Sequence, residues 1–368
     1  MRIAFYAPLK PPDHPIPSGD RRIAQLLFEA LRLAGHEPFL VSRLRSYDGS
    51  GDPVRQARLA RLARRVAERG LCEWRRVPKS APDLWFSYHL YHKAPDWLGP
   101  TVADELGIPY VAAEASVAPK QKEGPWALGY RATERAIRQA TVVIGLNPAD
   151  RECVVPLLRD PRRWVALKPF LDAASYGQSN RRNGGPLRLI TVAMMRHGDK
   201  LASYRILGEA LSGLVDRPWA LEVIGDGPAR REVETAFSLL SDRVIWSGRL
   251  GPKDVAERLA SADLFLWPAV NEAFGMALLE AQSSGLPVVA GAAGGVEEIV
   301  RSGTTGLLVP PGNAVAFAAA VRRLLINSDQ RLAFGAAARR QTLLEHDLPI
   351  AARRLGHILG ALGSAEAA

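Results

Sequence analysis

The chain has 368 residues, more than one ordinary core holds and about right for two domains of ~150 residues each. Hydrophobic residues make up 47% and charged residues 23%, which excludes a largely disordered chain. Lys plus Arg total 48 against 38 Asp plus Glu, a net +10 that bears on partners and not on fold, and the two cysteines, Cys72 and Cys153, exclude a disulfide framework or a cysteine zinc site. The opening Met1-Arg-Ile-Ala-Phe-Tyr-Ala-Pro8 is a short apolar run ended by proline, which predicts a buried first strand and not a signal peptide. Since no apolar run reaches ~18 residues, no membrane span is expected and the expected location is cytoplasmic.

Short Val/Ile/Leu-rich runs alternate with longer amphipathic stretches, the pattern of parallel sheets with crossover helices. Strands are predicted in chain order at 2–6, 37–41, 83–87, 110–113, 141–144 and 164–167. A second series follows at 187–192, 220–224, 244–246, 264–267, 288–290 and 307–309. Between them, 173–186 (AASYGQSNRRNGGP) is polar and Gly-rich without an apolar period, and is read as a linker. The expected architecture is α/β, with two Rossmann-like, doubly wound domains at 1–172 and 187–345 and a C-terminal segment at 346–368. Ligands are expected at the carboxyl ends of the strands.

The charge is lopsided, with 27 basic and 19 acidic residues in 1–180 but 21 and 19 in 181–368. Residues 53–80 hold nine basic side chains, running from Arg55 through Arg76 to Lys79, against Glu68 and Glu73. Leu59, Leu62 and Val66 fall on one face of a helix there, with Arg58, Arg61 and Arg65 elsewhere around it. Two readings stand: a solvated face on a core helix, or attraction through Arg55–Arg76 to an anionic membrane or a polyprenyl-linked sugar. Nucleic acid is not expected, because no binding motif accompanies the charge.

The chemistry concentrates in 267–290, WPAVNEAFGMALLEAQSSGLPVVA, where a buried strand enters a loop and then a helix starting near Gly275 and ending at Gly285. Gly275 admits close backbone approach, and the amides of Phe274, Gly275, Met276 and Ala277 form a helix N-terminus suited to an anion. Glu272 precedes that terminus and Glu280 lies within the helix. Eight residues at ~1.5 Å each separate them by ~12 Å, beyond the ~5–9.5 Å of a glycosidase carboxylate pair. The two therefore grip different parts of one elongated ligand, and a sugar, a diphosphate and a ribose fit that layout. Arg196 and Lys200, after the strand at 187–192, aim two cations at developing negative charge.

Glu-x7-Glu in this frame resembles the donor-site signature of the retaining GT-B glycosyltransferases of family 4, the glycosyl transferases group 1. Ile224-Gly-Asp-Gly-Pro228, Gly248-Arg-Leu250, Gly294-Gly-Val-Glu-Glu-Ile299 and Gly306-Leu-Leu-Val-Pro-Pro-Gly312 stand in the same order as similar motifs of that family. The resemblance implies two domains facing a central cleft, with 350–362 forming a helix that returns to the N-terminal domain. It implies transfer of a hexose from a UDP- or GDP-sugar to a hydroxyl of a glycan, lipid-linked or small-molecule acceptor. Glu280 would hold the ribose, Glu272 the donor sugar, and Arg196 and Lys200 the diphosphate. Gly248, Arg249 and Leu250 would pack on the nucleobase, and Gly19 would let the N-terminal loop close over the phosphates.

The chain also departs from the family. Met195 replaces the usual glycine before Arg196, and the spacing to Lys200 is one residue tighter. Where many members have a histidine after about the fourth strand, this chain has Glu114, with His89 the nearest substitute, so these two are the acceptor-side candidates. Asp-x-Asp is absent, so no metal and no cofactor beyond the sugar nucleotide is expected; Arg, Lys and a helix dipole would balance the diphosphate. The competing readings are a nucleotide-sugar epimerase on the same fold and a non-catalytic sugar-nucleotide-binding partner. The expected cytoplasmic location extends to peripheral contact with the inner face of the membrane.

Overall fold

The computed structural model describes residues 1–16, 18–177, 185–272 and 275–364. The chain divides into two compact units, one of Met1–Lys168 with Leu348–Ala368 and one of Pro169–Asp347. Of the segment expected as a linker, Ala173–Ser175 forms a short 3-10 turn capped by the Asp172 side chain, and 178–184 lie outside the described residues.

The first unit is built on β1 (Arg2–Tyr6), β2 (Glu37–Leu40), β3 (Leu84–Leu90), β4 (Tyr110–Ala115), β5 (Val142–Gly145) and β6 (Trp164–Ala166), all parallel, in the order β2-β1-β3-β4-β5-β6. Near-continuous apolar runs form the central strands because helices cover both faces. Phe5 stacks on Phe86 with ring centres 5.6 Å apart, and Tyr6 packs edge-on to Trp85. Helix α1 (Gly19–Leu33) starts where the Ser18 side chain accepts from the Arg21 N–H, and buries Ile23, Leu26, Leu27, Ala30 and Leu31 at helical spacing.

Helix α2 (Pro53–Arg76) is capped by Asp52, with Pro53 in its first turn. Its buried stripe is Gln56, Ala63, Ala67, Leu71 and Trp74. Leu62, grouped by sequence with Leu59 and Val66, is exposed instead. It lies about 100° around the helix from Ala63, outside a stripe centred on two alanines. Helices α3 (Gly99–Leu106), α4 (Ala127–Gln139) and α5 (Asp150–Val154) complete the layers between strands. The described chain ends in a helix (Leu348–Ser364) that buries Ala351, Ala352, Leu355 and Leu359 and packs on α1.

The second unit contains β7 (Leu187–Val192), β8 (Trp219–Ile224), β9 (Val244–Gly248), β10 (Leu264–Trp267), β11 (Val288–Gly291) and β12 (Gly306–Val309). These are parallel in the order β12-β11-β10-β7-β8-β9, so the winding direction reverses between β7 and β10. In a doubly wound sheet that reversal opens a crevice at the strands' carboxyl ends. The crossovers are α6 (Asp199–Ser212), α7 (Arg230–Ala236), α8 (Pro252–Ser261), α9 (Met276–Ser283), α10 (Ala314–Ile326) and α11 (Ser328–Glu345). Among the described residues, no helix is long and apolar enough to cross a membrane.

Gly208 shows how tightly α6 and α7 meet, since a Cβ on it would run into the Ala236 carbonyl. Glycine to alanine within an exposed helix stabilises by about 1 kcal/mol. Here backbone blocks the added methyl, and Gly208→Ala is expected to destabilise by about 1–3 kcal/mol. Urea unfolding of the two proteins checks this, and a more stable variant would refute the packing argument.

Candidate functional site

At the reversal of the second sheet, Val192 and Trp267 end neighbouring strands, and the loops that follow are tied together by backbone. The Ala193 N–H donates to the Ile224 carbonyl, the Met195 N–H to that of Asp226, and the Ala229 N–H to that of Met195. Gly225 and Gly227 permit this approach, because a Cβ on either would strike the carbonyls of Ala193 and Met195. The Gly-Asp-Gly is therefore more than a turn: it clamps the strand end that carries Arg196 and Lys200. Met195, standing at the usual glycine position, is buried under that clamp.

Lys200 and Glu272 are brought into contact, Nζ to Oε2, at 2.5 Å, with both side chains largely buried. The Trp267 indole N–H donates to the same oxygen at 3.1 Å, and Lys200 Nζ lies 5.0 Å from the centre of the Trp267 ring. The surrounding loop is fixed by three further bonds. Asn271 Nδ2 donates to Asp199 Oδ2, the Val270 N–H to Ser203 Oγ, and the Gly295 N–H to the Glu272 carbonyl. Arg196, in contrast, extends into solvent at the edge of the same loop.

Gly275, at φ 69°, opens α9 in the left-handed region that favours glycine. Met276 and Ala277 supply first-turn amides, while Phe274 lies outside the described residues. Glu280 is partly buried one turn into α9. Only the steps from Met276 to Glu280 are helical, so the ~12 Å rise expected from eight helical steps does not apply to Glu272 and Glu280. Gly248, at φ 64°, ends β9, and its carbonyl accepts from the Gly225 N–H; Arg249 beside it is exposed and Leu250 partly buried. Gly19 is an exposed first residue of α1, and a Cβ on it would meet nothing within 4 Å.

A second constellation lies at the carboxyl ends of the first sheet. His89 on β3 and Glu114 on β4 sit opposite each other between the register pairs Tyr88–Ala113 and Leu90–Ala115. Both are non-glycine residues in left-handed backbone, at φ 57° and 54°. Such strain persists only where surrounding structure imposes it, and it gathers at functional sites. His89 Nδ1 lies 3.1 Å from Asp20 Oδ1, in the first turn of α1, and 3.8 Å from Glu114 Oε1.

Burial alone would lower the His89 imidazole, but the carboxylates of Glu114, Asp20 and Asp150 prevail and raise it to about 9. Burial raises Glu114 to about 7 and Asp150, in α5, to about 6, in each case against the pull of His89. Asp20 moves the other way: burial would raise it, and the contacts with His89 hold it below its usual value. Asp20, Asp150 and Trp267 escaped sequence reasoning. An aspartate next to Gly19 was the one available hint.

Residues 186–327, within the second unit, match the family described as Glycosyl transferases group 1. The sulfoquinovosyl transferase SQD2 of Arabidopsis thaliana is 34% identical over 44% of this chain and 31% of its own. The chain spans between about a third and a half of the curated relatives it matches first. The sucrose-phosphate synthase structure from Thermosynechococcus elongatus superposes with a TM-score of 0.75 at 18% identity, over 99% of both chains. Anabaena HepE, in complex with UDP and glucose, gives 0.72 at 16%, over 98% of this chain and 99% of its own. The fold is GT-B, with a Rossmann-like sheet in each unit.

The His89 cluster makes a prediction about stability. Folded pKa values above the unfolded ones mean that the native state binds more protons, so stability is fully present at low pH and is lost as pH rises. The loss should run from about pH 4.5 to 7 for Glu114 and from about 6.5 to 9 for His89. Glu114→Gln should remove the first phase and, by deleting the main attraction, shift the His89 titration to lower pH. Urea midpoints against pH and the imidazole NMR titration check both; an unshifted histidine would contradict the contact.

Proposed function

We propose that this chain is a retaining, metal-independent glycosyltransferase that moves a hexose from a nucleoside diphosphate sugar to an acceptor hydroxyl. The observation that carries the reading is the Lys200–Glu272 contact at the strand reversal of a group 1 glycosyl transferase domain. It sets a cation and a carboxylate side by side where a ligand would join a phosphate to a sugar. A UDP-sugar is the favoured donor, since HepE, of like fold, is described in complex with UDP and glucose.

Lys200 and Glu272 satisfy one another. An arriving diphosphate competes for Lys200, with Arg196 and the first-turn amides of α9 adding to the attraction. Glu272, still held by the Trp267 N–H, becomes an acceptor for sugar hydroxyls. Glu280 takes the ribose, and Gly248, Arg249 and Leu250 line the base. As the C1–O bond to the diphosphate breaks, negative charge grows on the phosphate oxygens, facing Arg196 and Lys200. The acceptor oxygen bonds to C1 from the face the diphosphate leaves, and its proton passes to the departing phosphate, so configuration is retained. The protein contributes positioning and charge stabilisation.

His89 and Glu114 hold the acceptor side. The exposed arginines of α2, among them Arg58, Arg61 and Arg65, offer an anionic membrane surface a place to dock when the acceptor is lipid-linked. Reversing those three charges should abolish sedimentation with phosphatidylglycerol vesicles and leave phosphatidylcholine binding unchanged. Equal sedimentation would show that the charge is only a solvated face.

Glu272→Gln should lower kcat by about 100- to 1,000-fold while thermal stability stays near wild type. Thermal shifts against UDP-, GDP- and ADP-sugars identify the donor, since ligand at 100 times its Kd adds about 2.7 kcal/mol. Full product formation by Glu272→Gln would sink the site assignment.

A further inference from the structure

Both hydrogen bonds to the Glu272 side chain fall on one oxygen. Oε2 accepts from Lys200 Nζ at 2.5 Å and from the Trp267 indole N–H at 3.1 Å. Among the described residues Oε1 has no hydrogen-bond partner, and the side chain is 17% exposed, so that oxygen is open to a ligand. The two groups on Oε2 are not alike. Lys200 ends a flexible stem, is 25% exposed, and carries the charge that a phosphate draws away. Trp267 cannot follow it. The residue is 3% exposed at the end of β10, in register with Ala290 of β11. Behind it the buried Tyr204 packs edge-on, with ring centres 5.2 Å apart at 78°. The Tyr204 hydroxyl donates to the Ala193 carbonyl at 2.8 Å, which ties this aromatic pair to the loop after β7.

We propose that Trp267 is the positioning residue for Glu272 during turnover, keeping Oε1 turned to the hydroxyls of the donor sugar once Lys200 has moved to the diphosphate. The inference rests on the glycosyltransferase reading and names a residue of that site that acts through another. With Lys200 on Glu272 the carboxylate has two anchors; with Lys200 on a diphosphate it has one. A glutamate side chain without an anchor samples several rotamers, and each misplaced one costs rate, because the sugar must present C1 in a single alignment. The indole N–H donates to a charged acceptor, one of the stronger kinds of hydrogen bond, and it counts most when no cation competes for the same oxygen. The ring also attracts the Lys200 ammonium, 5.0 Å from its centre. A phenyl ring retains that attraction in part and lacks the N–H, so the two contributions can be separated.

Trp267→Phe on the full chain tests this. Release of the nucleoside diphosphate from UDP-, GDP- and ADP-glucose by slow hydrolysis finds the working donor, and kcat and KM are then compared on it. The substitution should lower kcat about tenfold or more. Calorimetric affinity for the matching nucleoside diphosphate, which has no sugar for Glu272 to hold, should stay within about twofold of wild type. A double-mutant cycle separates positioning from packing. In the Glu272→Gln background the same change should cost less than about threefold, because the group through which Trp267 acts has lost its charge; a role in packing alone would cost the same factor in both backgrounds. If Trp267→Phe fails to fold, Trp267→benzothienylalanine, which keeps the fused ring and replaces the N–H by sulfur, should give the same loss of kcat. An unchanged kcat, equal cost in both backgrounds, or a loss of nucleoside diphosphate affinity as large as the loss of kcat would overturn the proposal. Full activity of Glu272→Gln with Trp267 intact would sink the donor-site assignment instead, and is read from that single variant.

Discussion

Lys200 and Glu272 touch across 72 residues of sequence because β7 and β10 lie side by side, and the second unit's chemistry hangs on that adjacency. A sheet wound in one direction only would never bring these two strand ends together. Reversal at β7 sends the chain outward to β8 and β9, then back across to β10, so two loops with no local relation share one crevice. Contacts between partly desolvated charges are weak sources of stability, since loss of hydration offsets much of the attraction. The supports around this pair act on position instead. Trp267 holds the carboxylate, Ser203 and Asp199 hold the loop, and Gly225 and Gly227 let backbone lock the opposite side.

The first unit applies the same rule with different materials. Its reversal falls between β1 and β3, and again the titratable side chains gather at strand ends: Asp20 after β1, His89 on β3, Glu114 on β4 and Asp150 after β5. Beside the glycines of the second unit's loops, Ala269 stands in left-handed geometry at φ 46°, and the first unit forces two non-glycine residues into it at adjacent positions. Each turns its side chain out of the alternation that strand pleating imposes, toward the cluster. Such backbone costs of order 1–3 kcal/mol per residue, so the neighbouring strands must hold it in place.

That contrast explains what was legible in the sequence. Strand positions and both sheets could be read because buried parallel strands are short, apolar and punctuated, though β3, β4 and β9 run on to Leu90, Ala115 and Gly248, past the predicted 83–87, 110–113 and 244–246. Glu272, the start of α9 and Glu280 sit within one continuous frame from 267 to 290, and glycines at 225, 227 and 275 mark places where only backbone fits. No such frame exists for the His89 cluster. Its four members come from four elements, and nothing local distinguishes Asp150 from any other aspartate. Left-handed φ at His89 and Glu114 leaves no compositional trace, because the residue that would announce it, glycine, is absent. On α2, counting leucines and valines missed a buried stripe whose centre is alanine, since close approach there favours small side chains over large ones.

Net charge is a poor guide to what a site binds, and the first unit shows why. Its basic excess is spread over side chains such as Arg58, Arg61, Arg64, Arg65 and Arg69, all exposed on α2. Water and salt screen such charges within about 8–10 Å. The acidic cluster is smaller in number but desolvated, and each charge there acts at short range through a medium that screens little. A surface potential governs approach and the kind of interface the unit tolerates; the buried groups govern what remains bound. The two can carry opposite signs without conflict, because they act at different distances.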